Sequence, residues 1–151
     1  MTMHHFHLTA TWPGGRNDIG TIQSGNLQTE ISIPTDMEGP GIGTNPDEML
    51  LGAASTCYII TLAAMLERSS IKKASLTMQS EALVDVTKGV FTYKKIIHRP
   101  TLVLAPDTSE QVAEKARKLV EKAESSCMIS RAIKGNVAVE LDATISIAQQ
   151  S

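Results

Sequence analysis

Aromatic side chains are nearly missing from this chain of 151 residues, which has one Trp, two Tyr and two Phe. So few ring faces disfavour a base- or sugar-stacking surface and leave the core to Ala, Leu, Ile, Val and Met. An excess of either charge is missing too: fourteen Lys and Arg stand against sixteen Asp and Glu, a formal charge of −2. That balance offers no electrostatic footprint to a nucleic-acid backbone or an anionic membrane. Cysteine is scarce, with Cys57 and Cys127 far apart in the chain, which excludes both a disulfide scaffold and a paired zinc-ligand spacing. No low-complexity tract, charge block or solenoid-period repeat occurs. The stretch from Met1 to His7 lacks the basic and apolar regions of a secretory signal, so the cytoplasm is the expected compartment.

What is present is an ordinary globular composition, 42% hydrophobic and 20% charged. The length suits a single domain over residues 1–151 and leaves no room for two independent catalytic domains. The first third reads as strands broken by turns: His5 to Trp12, a bend at Gly14-Gly15, Gly20 to Gln23, a tight turn at Ser24-Gly25-Asn26, and Leu27 to Ile33. Two prolines and three glycines between Pro34 and Thr44 mark an irregular connection suited to the rim of a site.

A helix is expected to open at Asn45-Pro46-Asp47-Glu48, with Asn45 at the N-cap, Pro46 at the first helical position and Glu48 completing a capping box. From Met49 to Leu66 the chain is apolar nearly all round, which predicts a buried helix. Its length reaches the lower limit of a membrane span; its small and hydroxylated residues, acidic cap and lack of basic anchors argue against one. Ser75 to Val86 and Val90 to Leu104 predict long antiparallel strands joined at Thr87-Lys88-Gly89. After Pro106, Thr108 and Gln111 offer a second capping box for an amphipathic helix whose apolar stripe is Val112, Ala113, Ala116, Leu119, Val120 and Ala123. The charged residues between those positions read as a solvated face. Cys127 follows where the stripe ends, and Val137 to Ile147 reads as a last alternating strand. The fold class is α+β.

Metal binding would rest on His4, His5 and His7, of which His5 and His7 share a strand face, and no third ligand is evident. These read as edge-strand residues, and His98 as a strand-end residue without a role. No metal is expected.

A cysteine inside an apolar helix has its thiolate disfavoured by desolvation, so chemistry at Cys57 needs a positive neighbour. Arg16 can supply it, and Asp47 or Glu48 can orient the guanidinium through a bidentate pair. Each also has an ordinary role: Arg16 as an exposed turn residue, Asp47 as a partner of the helix dipole, Glu48 as a cap.

Four segments, Gly14-Gly15-Arg16, Thr44-Asn45-Pro46-Asp47-Glu48, Leu51-Gly52-Ala53-Ala54-Ser55-Thr56-Cys57 and Cys127-Met128-Ile129-Ser130-Arg131-Ala132-Ile133, together resemble the OsmC/Ohr family of thiol-dependent peroxidases. The likeness runs through nearly the whole chain, and the Pro34 to Thr44 segment looks closer to the OsmC-like subgroup. The family places an arginine after a glycine-rich bend, an acid after Asn-Pro, a peroxidatic cysteine twelve positions beyond that Asn, and a resolving cysteine in a Cys-Pro-x-Ser-x-Ala-like stretch. Asn45 and Cys57 keep the spacing. Asp47 stands where the family usually has Glu, and Met128 where it usually has proline.

The resemblance implies antiparallel sheets wrapping a central helix in an intertwined homodimer. It also implies reduction of organic hydroperoxides to alcohols through a Cys57 sulfenic acid and a Cys57–Cys127 disulfide, recycled by an external dithiol, with a lipoylated protein as one such reductant. No cofactor is implied. Arg16 would hold the thiolate and polarise the peroxide while Asp47 or Glu48 positions it, and Met49, Leu50 and Ile42 would form an apolar wall for substrate. A different class of reading is a non-catalytic binding protein or structural dimer of the same fold, with both cysteines as packing residues.

Overall fold

The computed structural model describes residues 1–150. Its contacts divide the chain into two compact units, Met1–Met49 and Leu50–Ser151.

In the first unit, strands β1 (Thr9–Thr11), β2 (Gly20–Ser24) and β3 (Leu27–Ile31) form an antiparallel sheet in the order β1-β2-β3. Ser24 pairs with Leu27, leaving Gly25-Asn26 as a two-residue turn in which Gly25 takes φ +58, a conformation that glycine adopts without steric cost. The expected first strand, His5 to Trp12, is reduced to Thr9–Thr11. Thr9 pairs with Gln23, one residue before β2 ends, so earlier residues have almost no strand to pair with.

The segment after β3 contains a single 3-10 turn, Thr35–Met37. It is folded back by the Ser32 hydroxyl, which donates to the Ile42 carbonyl at 2.7 Å and accepts from the Ile42 N–H at 2.8 Å. Gly43, at φ +68, lies so close to Glu30 that an added Cβ would strike its carbonyl oxygen.

Helix α1 runs from Pro46 to Arg68. The Asn45 side chain accepts from the Glu48 N–H at 2.9 Å, as its capping role requires. The other half of the expected box is replaced: the Glu48 carboxylate accepts from the Thr44 hydroxyl at 2.8 Å. The helix is less buried than its composition predicts. Only Ala54, Tyr58, Leu62 and Leu66 are buried, one face at i, i+4 spacing, while Ile60 is 67% exposed. One chain covers one stripe of a helix that is apolar on every side.

The second unit continues with β4 (Lys73–Thr87) and β5 (Val90–Leu104). They pair antiparallel along their whole length with register shifts at Lys73/Ser75 and Leu83/Val84, and the turn residues Lys88 and Gly89 both have positive φ (52 and 76), the geometry favoured between right-twisted strands. Helices α2 (Glu110–Ser126) and α3 (Met128–Ile133) then carry the chain back to β6 (Ala138–Leu141) and β7 (Thr144–Ile147).

The last strand expected from Val137 to Ile147 is thus two strands, and both run parallel to β5, so this sheet is mixed. The register continues across the break, from His98↔Leu141 to Thr101↔Thr144. The gap lies opposite Arg99-Pro100, where proline has no N–H to give a ladder. Helix α2 is capped one residue later than expected. Ser109 accepts from the Val112 N–H at 3.2 Å, because the Thr108 hydroxyl is engaged with the Ala105 carbonyl at 2.6 Å. The α2 stripe Ala113, Ala116, Val120 and Ala123 packs with Tyr58, Leu62, Leu66, Leu102 and Leu104 into the main core. A second cluster joins Ala54, Ile96 and Val137.

Candidate active site

The two cysteines, remote in sequence, meet in the second unit. Cys57 lies on α1, and Cys127 ends α2 and precedes α3, with its N–H donating to the Ala123 carbonyl at 3.0 Å. Both are free thiols; Cys57 is half-buried and Cys127 buried. Burial pushes the Cys57 thiol up, but hydrogen bonds from the Cys127 thiol, the Ile129 and Met128 N–H groups and the Thr61 hydroxyl outweigh it and hold Cys57 below the ordinary thiol value. Cys127 is raised, first by burial and then by its interaction with Cys57, with the Ser130 and Ile129 N–H groups opposing; the Ser130 hydroxyl is buried without a hydrogen-bond partner. Donors favour the charged form of the sulfur they face, so Cys57 is the more readily ionised of the two thiols.

Thr61 and the α3 amides were not singled out in the sequence. Thr61 had a readable signal, since it stands four residues beyond Cys57 on one helix face. The amides had none, because backbone donors carry no side-chain signature and depend on where α3 lies.

Arg16 belongs to the first unit. It follows the Gly14-Gly15 bend, where Trp12 Nε1 donates to the Gly15 carbonyl at 2.8 Å. Its guanidinium donates to Asn17 Oδ1 (2.8 Å) and to the carbonyls of Met37 (2.9 Å) and Glu38 (3.2 Å), which ties the bend to the irregular segment. Asp47 and Glu48 occupy the first turn of α1, with Glu48 bound to Thr44. Ile42 is exposed, while Met49 and Leu50 are half-buried.

His98 is not a strand-end residue. It sits within β5, fully buried, stacked on Tyr58 with ring centroids 5.2 Å apart and an interplanar angle of 21°. Ser80 Oγ lies 2.7 Å from its Nδ1, and Nε2 is buried without a partner. Burial lowers the imidazole pKa. Tyr58 donates to the Val120 carbonyl at 2.8 Å, and its phenol is raised, first by burial and then by the Glu124 charge.

A mixed α+β fold bringing two free cysteines together defines a class of protein able to run thiol redox chemistry. The profile of the OsmC-like protein family matches residues 39–142, and the chain belongs to that family. It is 67% identical over 147 residues to YmaD, an uncharacterised protein of Bacillus subtilis (strain 168), covering 97% of this chain and 98% of that one. It is 26% identical over 145 residues to peroxiredoxin OsmC of Escherichia coli (strain K12), covering 93% and 96%. Its fold matches the crystal structure of an organic hydroperoxide resistance protein OsmC from Legionella pneumophila with a TM-score of 0.76 at 24% identity, covering 95% and 99%. Helix α1 is long and apolar enough to cross a membrane by length and composition; the whole-length match accounts for it as an element of this fold.

Proposed function

We propose that this protein is a thiol-dependent peroxidase that reduces organic hydroperoxides to alcohols. The observation that carries the reading is a neighbouring pair of free cysteines whose surroundings push them in opposite directions, Cys57 down and Cys127 up. Kinship with proteins named for peroxiredoxin activity supports it at the level of the family.

In this mechanism the Cys57 thiolate attacks one peroxide oxygen. The O–O bond breaks and its electron pair leaves with the other oxygen, which takes a proton and departs as alcohol. Cys57 becomes a sulfenic acid. The Cys127 sulfur then attacks Cys57, water leaves, and a disulfide forms with loss of the Cys127 proton. An external dithiol returns both cysteines to thiols and is itself oxidised to a disulfide. A lipoylated protein is the kind of reductant the family suggests. The roles of Arg16 in holding thiolate and peroxide, of Asp47 or Glu48 in orienting Arg16, and of Met49, Leu50 and Ile42 in receiving an organic group rest on the resemblance to the family.

We assign the protein a homodimeric assembly on the same footing, supported by the uncovered apolar side of α1 and by exposed Phe6, Leu8 and Leu27 in the first unit.

The test is mass spectrometry of reduced protein given one equivalent of cumene hydroperoxide. The expected product has lost two hydrogens, mapped to Cys57 and Cys127. Cys57→Ser is expected to abolish peroxide consumption with the fold intact, because serine is nearly isosteric but is no thiolate nucleophile. Cys127→Ser is expected to complete one turnover and leave a sulfenic acid that dimedone traps. Undiminished peroxide consumption by Cys57→Ser sinks the assignment.

A further inference from the structure

A polar group buried without a partner is rare in a folded chain and calls for an explanation. The Ser130 hydroxyl is one: the residue is 5% exposed, and its oxygen has no hydrogen-bond partner. Ser130 lines a cleft of about 500 Å³ whose walls come from the end of α2, from α3 and from β6. Neither cysteine lines it.

The cleft arises where the chain turns sharply after α3. The Asn136 and Val137 N–H groups both donate to the Ile133 carbonyl at 3.0 Å, and Gly135 takes φ +84, a conformation that glycine adopts without steric cost. A Cβ added at Gly135 would meet nothing within 4 Å, so the turn is open at that point. Val137 and Val139 give the cleft an apolar wall, while Glu124, Arg131 and Lys134 bring charge to it. Among the described residues neither cation forms an ion pair, with Glu124 or with any other carboxylate. Two side chains that can only donate thus stand unneutralised beside a hydroxyl that has nothing to bond, and a ligand rich in acceptors and negative charge satisfies all three.

We propose that this cleft binds a small oxyanion, the phosphate or carboxylate end of an organic molecule. Arg131 presents a planar fork to the oxygens and Lys134 a compact charge. The Ser130 hydroxyl supplies a third donor by rotating between staggered side-chain positions. Glu124 opposes the anion, and two cations against one carboxylate leave the cleft a net positive charge. Val137 and Val139 receive the apolar remainder of the molecule. The site goes beyond the peroxidase reading and uses neither thiol.

The experiment is an NMR titration of the full-length reduced protein with inorganic phosphate and, separately, with acetate, at an ionic strength held constant by exchange against sodium chloride. The amide signals of Ser130, Arg131, Lys134 and Gly135 are expected to shift together and to saturate, and the anion that saturates them at lower concentration identifies the class of head group. Arg131→Gln and Lys134→Gln are each expected to weaken binding roughly fivefold, the scale of an exposed ion pair. Glu124→Gln, which lifts the opposing charge, is expected to tighten it. Ser130→Ala is expected to weaken binding without lowering the melting temperature of the ligand-free protein, since the hydroxyl it removes has no bond to lose.

Shifts that grow with both salts without saturating overturn the proposal. So does binding that is unchanged in Arg131→Gln and Lys134→Gln, or a Ser130→Ala protein that binds as tightly as the parent. Peroxide enters none of these measurements. A protein that binds the anion and consumes no peroxide loses the peroxidase reading alone, and one that consumes peroxide and binds neither anion loses this proposal alone.

Discussion

Asp47 and Glu48 are one residue apart and about 100° apart around α1, and they fail differently when neutralised. Glu48 binds the Thr44 hydroxyl at 2.8 Å. A glutamine oxygen can accept the same bond, so Glu48→Gln loses only a favourable charge at the helix start, ~0.3–1 kcal/mol. If Asp47 takes the Arg16-orienting role that the family resemblance implies, Asp47→Asn is expected to slow the reaction with peroxide by about tenfold or more, equivalent to at least ~1.4 kcal/mol of transition-state stabilisation. Stopped-flow oxidation of both variants, with melts to exclude unfolding, decides between them. If Glu48→Gln is the slower enzyme at equal stability, the roles are exchanged. That the two residues lie in the first turn was legible from Asn-Pro alone; that Glu48 reaches Thr44 and not the Asn45 amide was not, because it depends on how the preceding segment folds back.

Among the elements, the contact between β4, β5 and α1 contains a polar centre that alternation alone did not reveal. Ser80 and His98 are direct partners across the β4–β5 ladder, and Tyr58 of α1 closes over the imidazole. The groups facing His98 from these elements are the Ser80 hydroxyl and the Tyr58 ring, with Glu124 of α2 acting on the tyrosine. Burial lowers the folded-state pKa of His98 below its value in the unfolded chain, about 6.5. Between those two values the unfolded chain binds a proton that the folded chain refuses, so stability falls as pH drops below about 6.5 and levels off once the folded protein also takes the proton. The change is expected as a falling urea midpoint from pH 8 to pH 5 at fixed protein concentration. It should be shallower in His98→Gln, which can still hydrogen-bond Ser80 but does not titrate. Equal slopes in the two proteins would assign the pH dependence to other groups.

At the scale of the whole molecule, α1 presents more apolar surface than one chain covers. Ile60 stands 67% exposed on a helix whose opposite face is fully buried. Apolar area left in water forgoes roughly 25 cal/mol per Å² of burial. A second copy of the chain is the expected cover. Equilibrium sedimentation should give a dimer, and unfolding should be concentration-dependent without a folded monomer on the way. A stable monomer at micromolar concentration would contradict this. Ile60→Glu, which places a charge on the uncovered face, is expected to weaken assembly while leaving the buried face of each helix as it is.

What the sequence determined by itself is whatever local chemistry decides. Asn-Pro with acids behind it starts a helix, Lys-Gly between alternating strands makes a hairpin, and a bend of two glycines carries Arg16. The four motif segments identified the family and the two cysteines, since spacing survives in the chain regardless of how it folds. The tertiary structure alone decided what depends on distant neighbours. Pro100 split the last strand in two because a missing N–H matters only to the strand lying beside it, and His98 became a core residue because Tyr58 arrived from another element. The Met128 and Ile129 amides came to act on Cys57 because α3 starts directly after Cys127, the residue that neighbours it. Backbone groups are the same at every position of a sequence, so only the folded arrangement says which of them face a charge.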